Sequence, residues 1–309
     1  AHIYKCDNYR NYMYSRMVPS TGYINKFKIM FYYPGLIIQY PRPEMKGGIP
    51  EFEDAPTFGK TLKRAHQWAQ ATGCDTIVGI NHRIEHDGDI DFITLCEQKH
   101  NRQLCELGQM IEDDRESIRL ICVAGPSSSG KTTFANRLRI ELLSRGIEPI
   151  RISLDDYYKN RDCYPLDENG KPDYESIDAL DIDLFNQNMA DLISGEEVRL
   201  PKFDFKTGQR VEGRLLKVPL DQPIIIEGIH ALNDKLTRDI PSHQKFKIFI
   251  APQAQVNIDN HNPLPLTDLR LLRRIVRDNQ FRKTSAIETL EMWPSVRKGE
   301  FKWIYGTQE

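Results

Sequence analysis

Gly125-Pro126-Ser127-Ser128-Ser129-Gly130-Lys131-Thr132 decides how this chain is read, together with the apolar run Arg119-Leu120-Ile121-Cys122-Val123-Ala124 before it. It matches G-x-x-x-x-G-K-[ST] in full. It lies between a β-rich run and a helical pattern over residues 131–144, the context that motif requires. Chance produces such a match in about one chain of this length in a hundred, so an accidental Gly/Ser-rich turn is the weaker reading. The physics is specific. The glycines let the backbone wrap so that successive N–H groups point at phosphate oxygens. A helix starting near Lys131 adds its positive N-terminal end. The Lys131 ammonium is placed for β- and γ-phosphates, and the Thr132 hydroxyl for magnesium. With Thr133, these eight residues form the expected nucleotide-phosphate-binding set.

Working outward, apolar strands alternate with helices. Residues 119–124, 149–154, 223–227 and 246–250 read as strands, and 131–144 and 181–194 as helices. Continuous apolar strands separated by helices predict a parallel sheet covered on both faces. Upstream the pattern differs. Residues 27–33 and 36–40 read as strands turning at Pro34-Gly35, and residues 56–72 and 93–112 as helices. The fold class is thus α/β: a P-loop NTPase-type parallel sheet with helices on both faces, preceded by a smaller α+β domain with antiparallel strands. A charged stretch over residues 106–116 marks the boundary, giving domains 1–115 and 116–309.

Phosphoryl transfer needs carboxylates near the phosphates, to hold magnesium and to accept a proton. In a parallel sheet they belong at the carboxyl ends of strands. Asp155-Asp156 and Glu227-Gly228 stand there. The bland reading of the Asp pair is a cap or turn. Arg270, Arg273, Arg274 and Arg277 recur on one face of a predicted helix over residues 268–282. Alone, that is usually a solvated face. Beside a phosphate loop it reads as a lid that closes over the transferring group.

Composition bounds the rest. The 309 residues carry 42 Lys+Arg and 44 Asp+Glu, a formal charge of -2, which argues against a dedicated nucleic-acid binder. No apolar run reaches membrane-spanning length. The first residues lack a signal-peptide pattern, and the absence of an initial Met suggests a processed or trimmed product. Six scattered cysteines without C-x-x-C pairs point to reduced thiols and a cytoplasmic setting.

Taken together, residues 125–132, Ser153-Leu154-Asp155-Asp156-Tyr157-Tyr158, Tyr174-Glu175-Ser176-Ile177-Asp178, Leu200-Pro201-Lys202-Phe203-Asp204-Phe205, Ile226-Glu227-Gly228 and Leu272-Arg273-Arg274-Ile275-Val276-Arg277-Asp278 resemble the uridine kinase and phosphoribulokinase family over about residues 117–300. The resemblance implies ATP- and Mg2+-dependent transfer to the 5′-hydroxyl of a nucleoside, uridine or cytidine first. It implies Asp155 as the base, and Thr132 and Glu227, with Asp155 close by, as magnesium holders. Lys131, Arg273, Arg274 and Arg277 would act on the phosphates. Glu175 would grip the ribose hydroxyls, with Tyr158, Phe203, Phe205 and Arg282 lining the substrate pocket. Core packing is the competing reading of Phe203 and Phe205. The chain departs from the family's nucleoside kinases at two positions: Phe203 replaces a Tyr, and Gly208 replaces a base-reading His. Relaxed base selectivity is the expectation. The family also continues into a further strand and helix beyond Glu309.

Met17-Val18-Pro19-Ser20-Thr21-Gly22-Tyr23-Ile24 with Phe27-Lys28-Ile29 resembles the second additional, editing domain of threonyl-tRNA synthetases. Met13 and Met17 stand where that family has its Cys and His, so editing chemistry is not expected. His82 and His86 form H-x-x-x-H, expected to be a solvated polar loop rather than a metal site. Two rival functions remain open. One is a sugar-phosphate kinase of the phosphoribulokinase type, with Lys202, Lys206 and Arg210 holding a second phosphate. The other is an ATP-binding, RNA-associated regulatory module. The expected partner is a small nucleoside, with homo-oligomerisation left open, no membrane, and nucleic acid considered only for residues 1–115.

Overall fold

The computed structural model describes residues 2–13, 16–33, 35–42, 46–167, 170, 172–252, 256–259 and 262–308. Its centre is a four-stranded parallel sheet in the order β10 (Lys245–Phe249), β5 (Leu120–Ala124), β9 (Ile224–Glu227), β6 (Ile150–Ser153). β5 and β9 are buried along their whole length. Successive residues therefore feed two cores. Leu120, Cys122, Ala124, Ile224 and Ile226 face α5 (Ile182–Ile193) and the hairpin of β7 (Glu197–Asp204) and β8 (Gln209–Lys217). Ile121, Val123 and Ile225 face α4 (Lys131–Ser144) and α3 (Asp89–Asp113). This double burial is why the strands read as unbroken apolar runs.

Leu104 and Ile111 of α3 lie in that second core with Leu138 and Leu142 of α4. Arg145, just past α4, ties the two helices together. It donates to Glu112 at 2.7 Å, Glu141 at 2.8 Å and Gln109 at 2.9 Å. The kinase-side core thus draws on residues ahead of position 116.

Upstream strands are antiparallel, as read, but form two separate two-stranded hairpins: β1 (His2–Cys6) with β2 (Tyr9–Met13), and β3 (Lys28–Tyr32) with β4 (Gly35–Gln39). β1 and β2 were not legible, because they lack a clean apolar alternation. Their turn at Asp7 takes a left-handed backbone, which Asp tolerates. Pro34 lies outside the described residues. Helix α1 (Pro56–Ala71) forms as expected.

His82 and His86 require a correction. They lie on a helix, α2 (Ile77–Asp87), not a loop. Thr76 caps it through Gly79 N–H at 3.0 Å, and the Asp/Gly residues that suggested a loop are its C-terminal stop. The two rings stack at 4.0 Å, and His86 Nδ1 lies 2.9 Å from His82 O. Among the described residues no group of three or more His, Cys, Asp or Glu could hold a metal by itself, and no helix is long and apolar enough to cross a membrane.

Candidate active site

Strand order builds the phosphate side. β9 lies between β5 and β6, so its end sits between the phosphate loop and Asp155. The register places Glu227 level with both Val123 and Ser153. The buried Glu227 carboxylate then accepts from Thr132 Oγ1 at 3.2 Å and from Ser153 Oγ at 3.0 Å, both on Oε1. Burial and the negative charge of Asp155 push its proton affinity up. Oxygen donors of this kind suit magnesium, which keeps several waters and shares substrate phosphates rather than needing a full protein cage.

Residues 125–132 wrap as the motif requires. Gly130 takes φ +97°, a left-handed conformation that frees the backbone to enter α4. Ser128 Oγ and Ser129 Oγ are buried with no hydrogen-bond partner among the described residues. Buried hydroxyls left unpaired are costly, and an anion in the loop would satisfy them. Lys131 Nζ donates to the loop's own carbonyls, Gly125 O at 2.9 Å and Pro126 O at 3.2 Å. Burial lowers its pKa against the opposing charges of Asp155, Glu227 and Glu175. The residues present therefore fit ATP with Mg2+.

The acceptor side begins at Asp155, on the 3-10 turn Leu154–Tyr157 that follows β6. The two neighbouring aspartates separate by partner. Asp156 accepts the backbone N–H of Phe203 at 3.3 Å and so ties this turn to β7. Asp155 carries no such tie, and its charge acts on Lys131, Glu175, Glu227, Tyr158 and Tyr164. Glu175 stands against α7 (Ala286–Trp303), its Cβ only 2.4 Å from where a side chain on Gly299 would begin. Its backbone carbonyl accepts from, or faces, His230 Nε2 at 3.0 Å. Enclosure pushes the Glu175 carboxyl up to about 7, against the pull of Arg274 and Lys131.

Aromatic rings wall this recess. Tyr158 meets Phe203 at 5.7 Å and Tyr164 at 5.8 Å, Phe203 meets Phe205 at 5.1 Å, and Tyr164 meets Tyr174 at 5.6 Å. Phe203 is buried and serves as floor, so its packing and pocket readings are both satisfied. Phe205 is more open, with the Arg282 guanidinium 5.2 Å over its ring. Sequence reading missed Tyr164, which the fold alone brings here, and the β7–β8 hairpin that presents Phe203 and Phe205. Val198 and Leu200 alternating ahead of Thr207-Gly208 were the available signal.

The arginine stripe, on α6 (Leu266–Arg282), is divided rather than uniform. Arg273 Nε donates to Ser128 O at 3.1 Å, and Arg274 Nη1 to Ser127 Oγ at 2.7 Å. Buried Asp278 gathers the rest, pairing with Arg274 at 3.2 Å, Arg277 at 2.7 Å and Arg282 at 3.8 Å. Arg270 belongs to neither group. It is buried against Glu300 of α7, and donates to Ser127 O at 3.1 Å. Glu300 in turn accepts Ser127 N–H at 3.2 Å and pairs with Arg297. Glu300 and α7 were missed by sequence reading. The capping box Ser285-x-x-Glu288 announces that helix.

Residues 120–305 match the model of the phosphoribulokinase / uridine kinase family. This chain belongs to that family. It is a P-loop kinase. A uridine kinase of Macrococcus caseolyticus is 33% identical over 177 residues, covering 57% of this chain and 77% of that protein. A uridine kinase of Staphylococcus aureus is 33% identical over 177 residues, covering 57% of this chain and 76% of that protein. Among solved structures, a Bacillus stearothermophilus chain described as a possible uridine kinase superposes with a TM-score of 0.42 at 19% identity, covering 64% of this kinase and 96% of that chain.

Proposed function

We propose that this kinase transfers the γ-phosphoryl group of ATP to the 5′-hydroxyl of a ribonucleoside, uridine or cytidine, releasing ADP. One observation carries the reading: Asp155 and Glu175 converge with the phosphate loop on a recess walled by Tyr158, Tyr164, Phe203 and Phe205. The names of the 33%-identical relatives support the same substrate class.

In this reading the loop N–H groups and Lys131 hold the triphosphate, and Arg273 and Arg274 close over it from α6. Thr132 and Glu227, with Asp155 nearby, would hold Mg2+, which neutralises phosphate charge when bound. Asp155 accepts the proton of the 5′-hydroxyl as that oxygen attacks phosphorus. Glu175 accepts from the ribose 2′- and 3′-hydroxyls, two donors on one carboxylate. The aromatic rings and Arg282 hold the base.

The sugar-phosphate reading loses one of its cations: Arg210 is held by Asp181 at 2.7 Å. For residues 1–115 the reading is still the one made from the sequence, a resemblance to the synthetase editing domain with Met13 and Met17 where that family has its Cys and His. A coupled ADP-release assay across uridine, cytidine, adenosine, guanosine and ribulose 5-phosphate tests the proposal. Turnover of a pyrimidine ribonucleoside, with 2′-deoxyuridine much poorer, is expected. Turnover of ribulose 5-phosphate alone refutes it.

A further inference from the structure

Gly208 sits at the tip of the β7–β8 hairpin with φ +71°, and its N–H donates to Asp204 O at 2.7 Å. The space beside it is filled from another segment. A Cβ added at Gly208 would lie 2.5 Å from Cδ and 2.7 Å from Nε of Arg161. Arg161 opens the short turn Arg161–Cys163, which follows the segment carrying Asp155 and Tyr158.

Two bonds fix its position. The Arg161 N–H donates to Gly208 O at 3.1 Å, and Nη2 donates to Phe205 O at 2.8 Å. The guanidinium therefore stands against the hairpin tip beside Phe205, and its charge is felt at Tyr164, which directly follows the turn. Among the described residues it has no carboxylate partner, and its Nε and Nη1 make no hydrogen bond. Nε is packed against Gly208, and the two N–H groups of Nη1 are left uncommitted beside Phe205.

We propose that Arg161 is a specificity-determining residue that donates to a ring carbonyl of the substrate base, so that the kinase prefers uridine over cytidine. The proposal rests on the ribonucleoside reading. A guanidinium carries five donors, no acceptor and a permanent charge. Uracil presents a carbonyl oxygen where cytosine presents an amino group. A donor facing a donor leaves both unpaired, and unpaired polar groups are what make hydrogen-bonding sites selective. From sequence alone, Gly208 and Phe203 leave the base without a reader. Arg161 supplies one from a position that no local pattern marks.

The test uses the full chain with Arg161→Ala and Arg161→Lys, measuring kcat/KM for uridine and cytidine. A hydrogen bond to a charged, solvent-accessible donor corresponds to about tenfold. Wild type should favour uridine by about that factor. Arg161→Ala should remove the preference, chiefly by raising KM for uridine, and Arg161→Lys should fall between. Because both substrates are compared on one enzyme, loss of the hairpin tether does not disguise the ratio. An unchanged ratio in Arg161→Ala, or equal losses for both substrates, overturns the role of Arg161 while leaving nucleoside kinase activity standing. A wild type that turns over no ribonucleoside overturns both readings. Ribulose 5-phosphate turnover that depends on Arg161 would assign the residue to a phosphate instead, which also overturns it.

Discussion

Glu175→Gln separates binding from stability, because the carboxylate is proposed to hold the ribose and is costly to the empty fold. Enclosure places its pKa at about 7 against an ordinary 4.5. Only the ionised form accepts from two ribose hydroxyls. With a pKa near 7, about 91% is ionised at pH 8 and about 9% at pH 6, so kcat/KM for the nucleoside should fall about tenfold between them. The fall should appear in the free-enzyme profile. The stability sign is opposite. A raised carboxyl pKa means that the folded state binds the proton more tightly than the unfolded chain. The penalty is fully present above pH 7 and is relieved as pH falls from 7 towards 4.5. Glu175→Gln should therefore be more stable than wild type at pH 8, by about 1–3 kcal/mol after the cost of burying an amide. It should also lose about 10–100-fold in kcat/KM and its pH dependence between 6 and 8. The assays are initial-rate profiles with nucleoside limiting, and thermal unfolding at pH 8 and pH 5.5. A variant that loses Tm and activity together, or one that keeps the wild-type pH profile, would show that Glu175 is a packing residue.

Lys131→Ala should abolish turnover while unfolding like wild type, since its ammonium touches only loop carbonyls; near-normal kcat would sink the phosphate-loop assignment. Asp155→Asn should cut kcat by about 10²–10⁴ with ATP affinity little changed, whereas Asp156→Ala should act mainly on stability by releasing Phe203 N–H; the reverse pattern would exchange their roles. Ile111→Ala should cost about 2–4 kcal/mol of kinase-domain stability, read by denaturant unfolding followed through loss of activity. Ile111 is almost fully enclosed and shares a core with Leu138 and Leu142. No effect on that transition would place α3 outside the kinase unit. By the same reasoning, removing residues 1–88 should leave a foldable kinase, and removing 1–115 should not.

What could be read in the sequence follows the range of the forces involved. The phosphate loop, β5, β6, β9 and α4 were legible because local backbone geometry and double-sided burial write themselves into consecutive residues. Glu227 and Asp155 were legible because strand ends are fixed positions in a parallel sheet. The division of the arginine stripe was not. Arg270 and Arg273 look alike on a helical wheel, and only the buried Glu300 of α7, thirty residues on, turns one inward. Arg161 and Tyr164 were hidden for the same reason: their partners Gly208 and Tyr158 meet them through tertiary packing. The boundary near residue 116 followed a real change in composition, but charged residues such as Glu112 mark the outer face of α3 and say nothing of Leu104 and Ile111 on its inner one.

The placement of β9 between β5 and β6 sets an order of assembly. Thr132 and Glu227 are 95 residues apart, and Ser153 and Glu227 are 74 apart. A chain emerging from its N-terminal end has made the phosphate loop and Asp155 long before the strand that separates them. Until β9 inserts, β5 has neither of its two neighbours, since β10 follows β9 in the chain; Ile226 is missing from the core, and no carboxylate bridges Thr132 to Ser153. Such non-local pairing is slow and entropically costly to close. The pair proposed to hold magnesium is therefore completed only when the central strand is in place, and β10 then covers the other side of β5.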